Sequence, residues 1–303
     1  MQLVRDIYAA RQATGEPVIS FEFFPPKTPE GDRNLLEKTI PALMRTGADY
    51  CSVTYGAGGS TRDKTLAIVE QVQKLHGFTT VAHLTCVSAA RSEIDDTLNR
   101  IKQAGVRNLL ALRGDPPKGT EFTVRSDGFE FAIDLVKHIR KEHGDFSIGV
   151  AGFPEGHIAC KEGKHKDWEH LKQKVDAGAD YVLTQLFFDN RDYFEFRDEM
   201  TGKHGVKVPI VPGIVPIVSA SGIKRFTAQC GARLPREVTA ALDRIGDDDD
   251  EAATEFGIDY ATRQCDELLR AGAPGIHFYT LNKARSTCAV LERLGLAGKQ
   301  NES

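Results

Sequence analysis

The chain has 303 residues, 41% hydrophobic and 27% charged, which is ordinary globular composition with ample length for a large core. Its net charge of -4 removes any general electrostatic case for nucleic-acid or membrane binding. Residues 1–15 are polar and amphipathic and lack the apolar core of a signal peptide; no stretch is long enough to span a bilayer, so a cytoplasmic protein is expected. The cysteines, Cys51, Cys86, Cys160, Cys230, Cys265 and Cys288, form no C-x-x-C pair. They read as free thiols, which disfavours a disulfide framework or a zinc site.

The first strand is predicted near 18–24, where β-branched and aromatic residues run up to Pro25-Pro26. Glu22 sits inside it, beside Phe21, Phe23 and Phe24. A carboxylate among phenylalanines is costly to ionise, so a raised pKa suited to a general acid is expected. The competing readings are a solvent-facing Glu or a salt bridge to a barrel lysine.

A phrase then recurs, in which a helix end and a Gly lead into a strand. It appears as Thr46-Gly47-Ala48-Asp49-Tyr50, Ala104-Gly105-Val106, Ala177-Gly178-Ala179-Asp180-Tyr181 and Ala271-Gly272-Ala273. Gly after a helical run is a C-cap signal, and the short apolar run behind it suits a buried parallel strand. The remaining strands are expected near 49–55, 79–86, 108–114, 146–153, 181–188, 209–215 and 275–281. Helical patterns cover 34–45, 64–76, 93–104, 128–142, 167–177, 191–200 and 221–229. Eight βα units predict a single-domain (β/α)8 barrel over 1–303. A doubly wound sheet would want a Gly-rich fingerprint after the first strand, where Phe23-Phe24-Pro25-Pro26-Lys27 stands instead. Residues 234–255 read as an insertion before the last strand. Their acidic run, Asp247 to Glu251, reads as a solvated loop leading into the helix that ends at Ala271, and its spacing does not match an EF-hand. Residues 299–303 read as a disordered tail.

Barrel enzymes place their chemistry at the C-terminal ends of strands. Here those ends carry Glu22, Thr54, His83, Arg113 with Asp115, His157, Gln185, and Thr280 with Asn282. Each alone has a bland explanation, such as a core histidine or a strand cap; together they mark a site. The loop Gly56-Ala57-Gly58-Gly59-Ser60-Thr61 would let backbone N–H groups approach a flat or anionic ligand. Arg113-Gly114-Asp115-Pro116-Pro117 is a rigid turn with opposite charges side by side. Lys174 could reach a phosphate or be a solvated lysine.

Several segments resemble methylenetetrahydrofolate reductases. They are Ser20-Phe21-Glu22-Phe23-Phe24-Pro25-Pro26-Lys27, Ser52-Val53-Thr54-Tyr55-Gly56-Ala57-Gly58-Gly59-Ser60-Thr61, Leu112-Arg113-Gly114-Asp115-Pro116, Thr184-Gln185-Leu186-Phe187-Phe188-Asp189 and His277-Phe278-Tyr279-Thr280-Leu281-Asn282. They run in order through residues 18–295, and the chain resembles the bacterial form, which consists of the catalytic barrel alone. The resemblance implies non-covalent FAD, reduced by NADH or NADPH, which then leaves. 5,10-Methylenetetrahydrofolate takes its place and accepts the hydride in a ping-pong sequence, as part of folate one-carbon metabolism and methionine biosynthesis. It also implies a homo-oligomer.

The same resemblance assigns roles. Glu22 looks like the general acid that opens the imidazolidine ring, and Asp115 like the carboxylate beside flavin and pterin. Gln185 and Phe226 resemble contacts to folate and nicotinamide, joined at the folate by Thr54 and Lys283. Thr54, Tyr55, His83, Arg113, Gly114, Asp115, Phe131, Ala132, Phe153, His157, Asp167, His170 and Lys174 look like FAD contacts. Phe131 and Phe153 stand where the family has tyrosines, and His170 where it has an asparagine. Gly222 replaces a glutamine and Lys283 an arginine, which loses the bidentate fork. The competing functions are a flavin-free barrel lyase or aldolase using Glu22 and Asp115, and a non-catalytic folate- or flavin-binding protein. The resemblance does not choose between NADH and NADPH.

Overall fold

The computed structural model describes residues 2–55, 62–115 and 125–298. The 299–303 tail lies outside them. In chain order the elements are α1 (Val4–Thr14), β1 (Val18–Phe23), α2 (Pro29–Asn34), a π turn (Leu35–Thr39) and α3 (Ile40–Met44). β2 (Tyr50–Val53), α4 (Arg62–His76), β3 (Thr80–Thr85), α5 (Arg91–Gln103) and β4 (Asn108–Leu112) follow. Next come α6 (Ala132–Glu142), β5 (Ser147–Gly152), α7 (Lys164–Asp176), β6 (Tyr181–Leu186) and α8 (Asn190–Asp198), extended by a second π turn (Glu199–Lys203). β7 (Ile210–Ile214), α9 (Ala220–Cys230), α10 (Arg236–Ile245), α11 (Asp250–Arg270), β8 (Gly275–Tyr279) and α12 (Arg285–Arg293) complete the chain. The strands close in sequence order into a parallel barrel, as the alternation predicts.

The four recurring glycines take left-handed φ values, Gly47 at 83°, Gly105 at 80°, Gly178 at 115° and Gly272 at 81°. The residue types that follow them do more than mark a strand start. Asp49 accepts a bond from Ile19 N at 2.9 Å, and Asp180 one from Ile148 N at 2.7 Å. Each thus clips its own strand to the preceding one before the ladder begins.

Two predicted segments differ. The 128–142 helix begins only at Ala132, because Asp134 accepts from Phe131 N and sets the start there. Just upstream, Gly128 bridges antiparallel to Ala90 instead of joining the helix. Within 234–255 the chain forms a helix not foreseen, α10, and the first turns of α11, while Asp247 to Asp249 form the exposed acidic loop expected to lead into the helix that ends at Ala271. The acidic run caps that helix, with Asp249 accepting from Ala252 N at 2.9 Å. Acidic residues at an N-terminus complement the helix dipole.

Strand alternation separates two environments. Ile19, Phe21 and Phe23 join the large core between sheet and helices. Val18 instead joins the barrel floor, with Val4, Ile7, Tyr8, Tyr50, Val81, Leu110, Tyr181, Leu183 and Val211. By the same alternation Ser20 and Glu22 point inward, above that floor. The floor is plugged by α1. Asn108 holds it, accepting from Val4 N at 2.8 Å and donating to Gln2 O at 3.1 Å and Thr80 O at 3.3 Å.

Asn108→Ala strips three buried or part-buried backbone groups of their partner. It should lower unfolding stability by about 2–3 kcal/mol, the scale for leaving buried polar groups unsatisfied. Urea titration measures this, and a loss below ~0.5 kcal/mol would show that α1 is held by apolar packing alone.

Candidate active site

Glu22 is 6% exposed. The β1–β8 ladder pairs Ser20 with His277 and Glu22 with Tyr279, so the inward side chains of the two strands rise together. His277 Nε2 lies 3.7 Å from the Glu22 carboxylate, and His83 Nε2, from β3, lies 3.3 Å away. Ser52 Oγ is at 3.5 Å. Ser20 Oγ and His277 Nδ1 are 2.8 Å apart. With the serine hydroxyl donating, the imidazole proton sits on Nε2 and faces the carboxylate. Neither imidazole closes to a tight hydrogen bond, and each leaves its Nε2 without a well-formed partner.

The electrostatics reverse the expectation from sequence. Burial does raise the Glu22 pKa, but His277 and His83 outweigh it and hold the group down at about 2. The phenylalanines that suggested a raised value, Phe21 and Phe23, point to the other side of the sheet. No barrel lysine is among the ion-pair partners found for Glu22.

The end of β1 is clasped from β8. Thr280 Oγ1 donates to Glu22 O at 2.8 Å. Asn282 accepts from Phe24 N at 2.9 Å and donates to Phe24 O at 2.8 Å. Thr280 and Asn282, read as candidate site residues, therefore serve to fix the backbone that carries Glu22.

A second group gathers where β4, β5 and α7 meet. Lys174 is not a solvated lysine: its Nζ donates to Ala151 O at 2.7 Å. Burial lowers its pKa to about 8, against the pull of Asp167. Asp167 is itself raised by burial, opposed by Lys174 and His157. Its carboxylate accepts from His157 N at 3.2 Å. His157 is lowered by burial, with Asp167, Arg113, Asp115 and Lys174 all within electrostatic reach. Its Nδ1 accepts from Ala159 N, and its ring packs edge-on against Phe153 at 4.6 Å. Gly114 has φ 84°, and a Cβ there would come within 2.7 Å of Val87 and 2.8 Å of Thr85. The turn between Arg113 and Asp115 can therefore pack this closely on Val87 and Thr85, with a left-handed φ, only because that residue is glycine.

The comparisons with known proteins bear on this arrangement. The profile of the family described as methylenetetrahydrofolate reductase matches residues 7–295. The chain belongs to the methylenetetrahydrofolate reductase family. It is 44% identical over 306 residues to a probable methylenetetrahydrofolate reductase (NADH) of Oryza sativa, covering 98% of this chain and 51% of that protein. Against the 5,10-methylenetetrahydrofolate reductase of Escherichia coli K12 it is 36% identical over 285 residues, covering 94% and 93%. The chain thus spans about half the length of the plant relatives it matches and nearly all of the bacterial one. Among solved structures, an uncharacterized protein from Clostridium thermocellum that binds two copies of 5-methyl-5,6,7,8-tetrahydrofolic acid superposes with a TM-score of 0.68. That match has 17% identity over 96% of this chain and 97% of the other, a likeness of fold.

The other family-suggested residues fall as follows. Thr54 is buried after β2 and Tyr55 half-buried beside it. Gln185 is half-buried on β6, its Oε1 accepting from Leu186 N at 3.0 Å. It lines a small cleft with Phe153, Glu155 and Gly231. Phe226 packs on the apolar cluster under α9, which also carries Gly222. Asp115, His170 and Lys283 are exposed, as is Phe131 at the start of α6, next to half-buried Ala132. The Gly-rich loop at 56–61 and Pro116-Pro117 lie outside the described residues. Sequence reasoning missed His277 and Ser20 as neighbours of Glu22. The available signal was parity: counting inward positions along β8 and β1 places them on the same face.

Because its folded pKa lies below the ordinary carboxylate value, Glu22 stabilises the fold fully above about pH 4.5. That contribution should disappear as pH falls toward about 2. Urea titrations across this window should show wild type losing stability relative to Glu22→Gln. A constant difference would show that Glu22 is not held as a carboxylate.

Proposed function

We propose that the chain reduces 5,10-methylenetetrahydrofolate to 5-methyltetrahydrofolate, with FAD as bound cofactor and NADH or NADPH as electron donor in ping-pong exchange. Family membership, the names of the bacterial relatives and the folate bound by the Clostridium thermocellum protein support this reading. The names of the plant relatives favour NADH. The observation that carries it is a buried carboxylate, Glu22, held between two histidines and ending a chain of polar groups inside the barrel.

The residues present fit a flavin dinucleotide. Lys174 and Arg113 bring positive charge to a half-buried corner, and among the described residues the one hydrogen-bond partner of Lys174 is a backbone carbonyl. A diphosphate would meet that need better than water. Gly114, Tyr55, His83, Phe131, Ala132, Phe153, His157, Asp167 and His170 complete the proposed set. When bound, FAD supplies hydride transfer.

The chain's own work is to position the folate and to handle a proton. Phe226 and the free amide N–H of Gln185 offer a stacking face and a donor that suit two different flat ligands in turn. In this reading Asp115 holds the folate and tunes the flavin, with Thr54 and Lys283 as further folate contacts. Glu22 passes a proton to a folate ring nitrogen, which opens the imidazolidine ring. A carboxylate held near pKa 2 is a poor store of protons. It must receive one as it gives one, and the Nε2 atoms of His277 and His83 face it as the groups able to supply it.

Glu22→Gln should keep its flavin and still be reduced by the nicotinamide, while folate turnover falls at least ~100-fold, the lower range for losing a general acid. Stopped-flow measurement of the two half-reactions separates these steps, and near-normal folate reduction would remove Glu22 from the role. Lys174→Met should weaken FAD binding at least ~10-fold, the effect of losing one charge-assisted hydrogen bond. Unchanged flavin retention on gel filtration would place the diphosphate elsewhere. Asp115→Asn should shift the flavin potential and weaken folate binding; if both are unchanged, Asp115 lies outside the site.

A further inference from the structure

The outer wall between α5 and α6 carries a cluster that the proposed reaction does not use. Asp95, on the first turns of α5, faces two histidines across the groove. His138 Nε2 lies 2.6 Å from Asp95 Oδ1, and His143 Nε2 lies 3.0 Å from the same atom. One potential ligand atom from each residue falls within 4.8 Å of the others. The histidine side chains are 17% and 11% exposed and that of Asp95 is 39% exposed, so the open side of the cluster is the carboxylate side.

The convergence is built by the fold. Five residues apart on a continuous helix, His138 and His143 would point about 140° apart, since each residue turns 100°. The helix stops first: His143 is its C-cap, with φ -140° and ψ 45°, and this break swings its ring back toward His138. The two rings end with centroids 6.1 Å apart. His138 is packed against Phe129 at 5.0 Å, and Arg91 lies over the Phe129 ring at 5.2 Å, so the histidine is braced. Of the two basic residues in the last turn of α6, Lys141 pairs with Glu142 and Arg140 with Asp180.

We propose that Asp95, His138 and His143 form a binding site for a borderline divalent cation, with Zn2+ the best match. Two imidazole nitrogens and one carboxylate oxygen are the donors such an ion selects, and solvent supplies a fourth position on the Asp95 side. Tetrahedral coordination at about 2.0–2.1 Å sets ligand atoms about 3.3 Å apart, so the 2.6 Å contact of His138 would open by about 0.7 Å and the 3.0 Å contact of His143 by about 0.3 Å. The cysteines, whose spacing disfavours a zinc site, take no part in it. The bound ion cross-links α5 to α6 on the flank of the barrel, away from the Glu22 site.

The test uses untagged holoenzyme stripped with EDTA and titrated with Zn2+ against a chromophoric chelator of micromolar affinity. One Zn2+ per chain is expected to compete, with affinity at least ten-fold weaker in both Asp95→Asn and His143→Gln. Reductase activity should be unchanged in the variants. X-ray absorption at the zinc edge of the wild type gives a readout independent of any variant. It should show only nitrogen and oxygen at about 2.0 Å, without the sulfur shell at about 2.3 Å that thiolate ligands would give. Absence of competing binding, unchanged affinity in the variants, or a sulfur shell would each overturn the proposal.

Discussion

A carboxylate inside a closed barrel must find partners or give up its charge. The pairing of β1 with β8 decides which happens to Glu22. It places His277 level with Ser20, one inward step below the carboxylate, while β3 delivers His83 from across the interior. The two imidazoles keep Glu22 ionised although it is buried. Most barrel interiors are filled with layers of branched aliphatic residues. Here the floor is apolar, with tyrosines among its aliphatic residues, and the layers above it include serine, histidine and glutamate. Closure of the sheet therefore creates the polar pocket and supplies its compensation together.

Much of this was legible in the residues themselves. The eight strands could be read because parallel strands buried on both faces are short apolar runs, and the glycines before four of them are C-caps with left-handed φ. The electrostatic state of Glu22 was not legible. Its neighbours in sequence are phenylalanines, but adjacent residues of a strand face opposite sides, so those rings lie in a different compartment. Its real neighbours come from the far end of the chain. Lys174 shows a related limit: position on a helix does not reveal whether the ammonium is turned inward onto a carbonyl. The acidic run from Asp247 reads as a solvated loop leading into a helix, and Asp247 to Asp249 form that loop, whereas α10 just before it was not foreseen.

The corner formed by Arg113, His157, Asp167 and Lys174 differs in kind from the Glu22 pocket. Burial and mixed charge act together on His157, Asp167 and Lys174. Burial dominates each of these three, whereas at Glu22 the neighbouring imidazoles outweigh it. The two regions thus treat buried charge in opposite ways.

The clasp of Asn282 on Phe24 has a mechanical side. Its side chain bonds both the N–H and the C=O of Phe24, as a neighbouring strand would, and so prolongs the sheet by one step beyond its last ladder pair. Leu281 and Asn282 adopt φ values of 51° and 58°, and Lys283 N then donates back to Thr280 O at 2.9 Å. Lys283 is consequently tied to the same rigid frame as Glu22, and the span between their backbones is set by the fold. For the ligand proposed above to engage both residues, that span would act as a ruler, selecting on length as well as on chemistry.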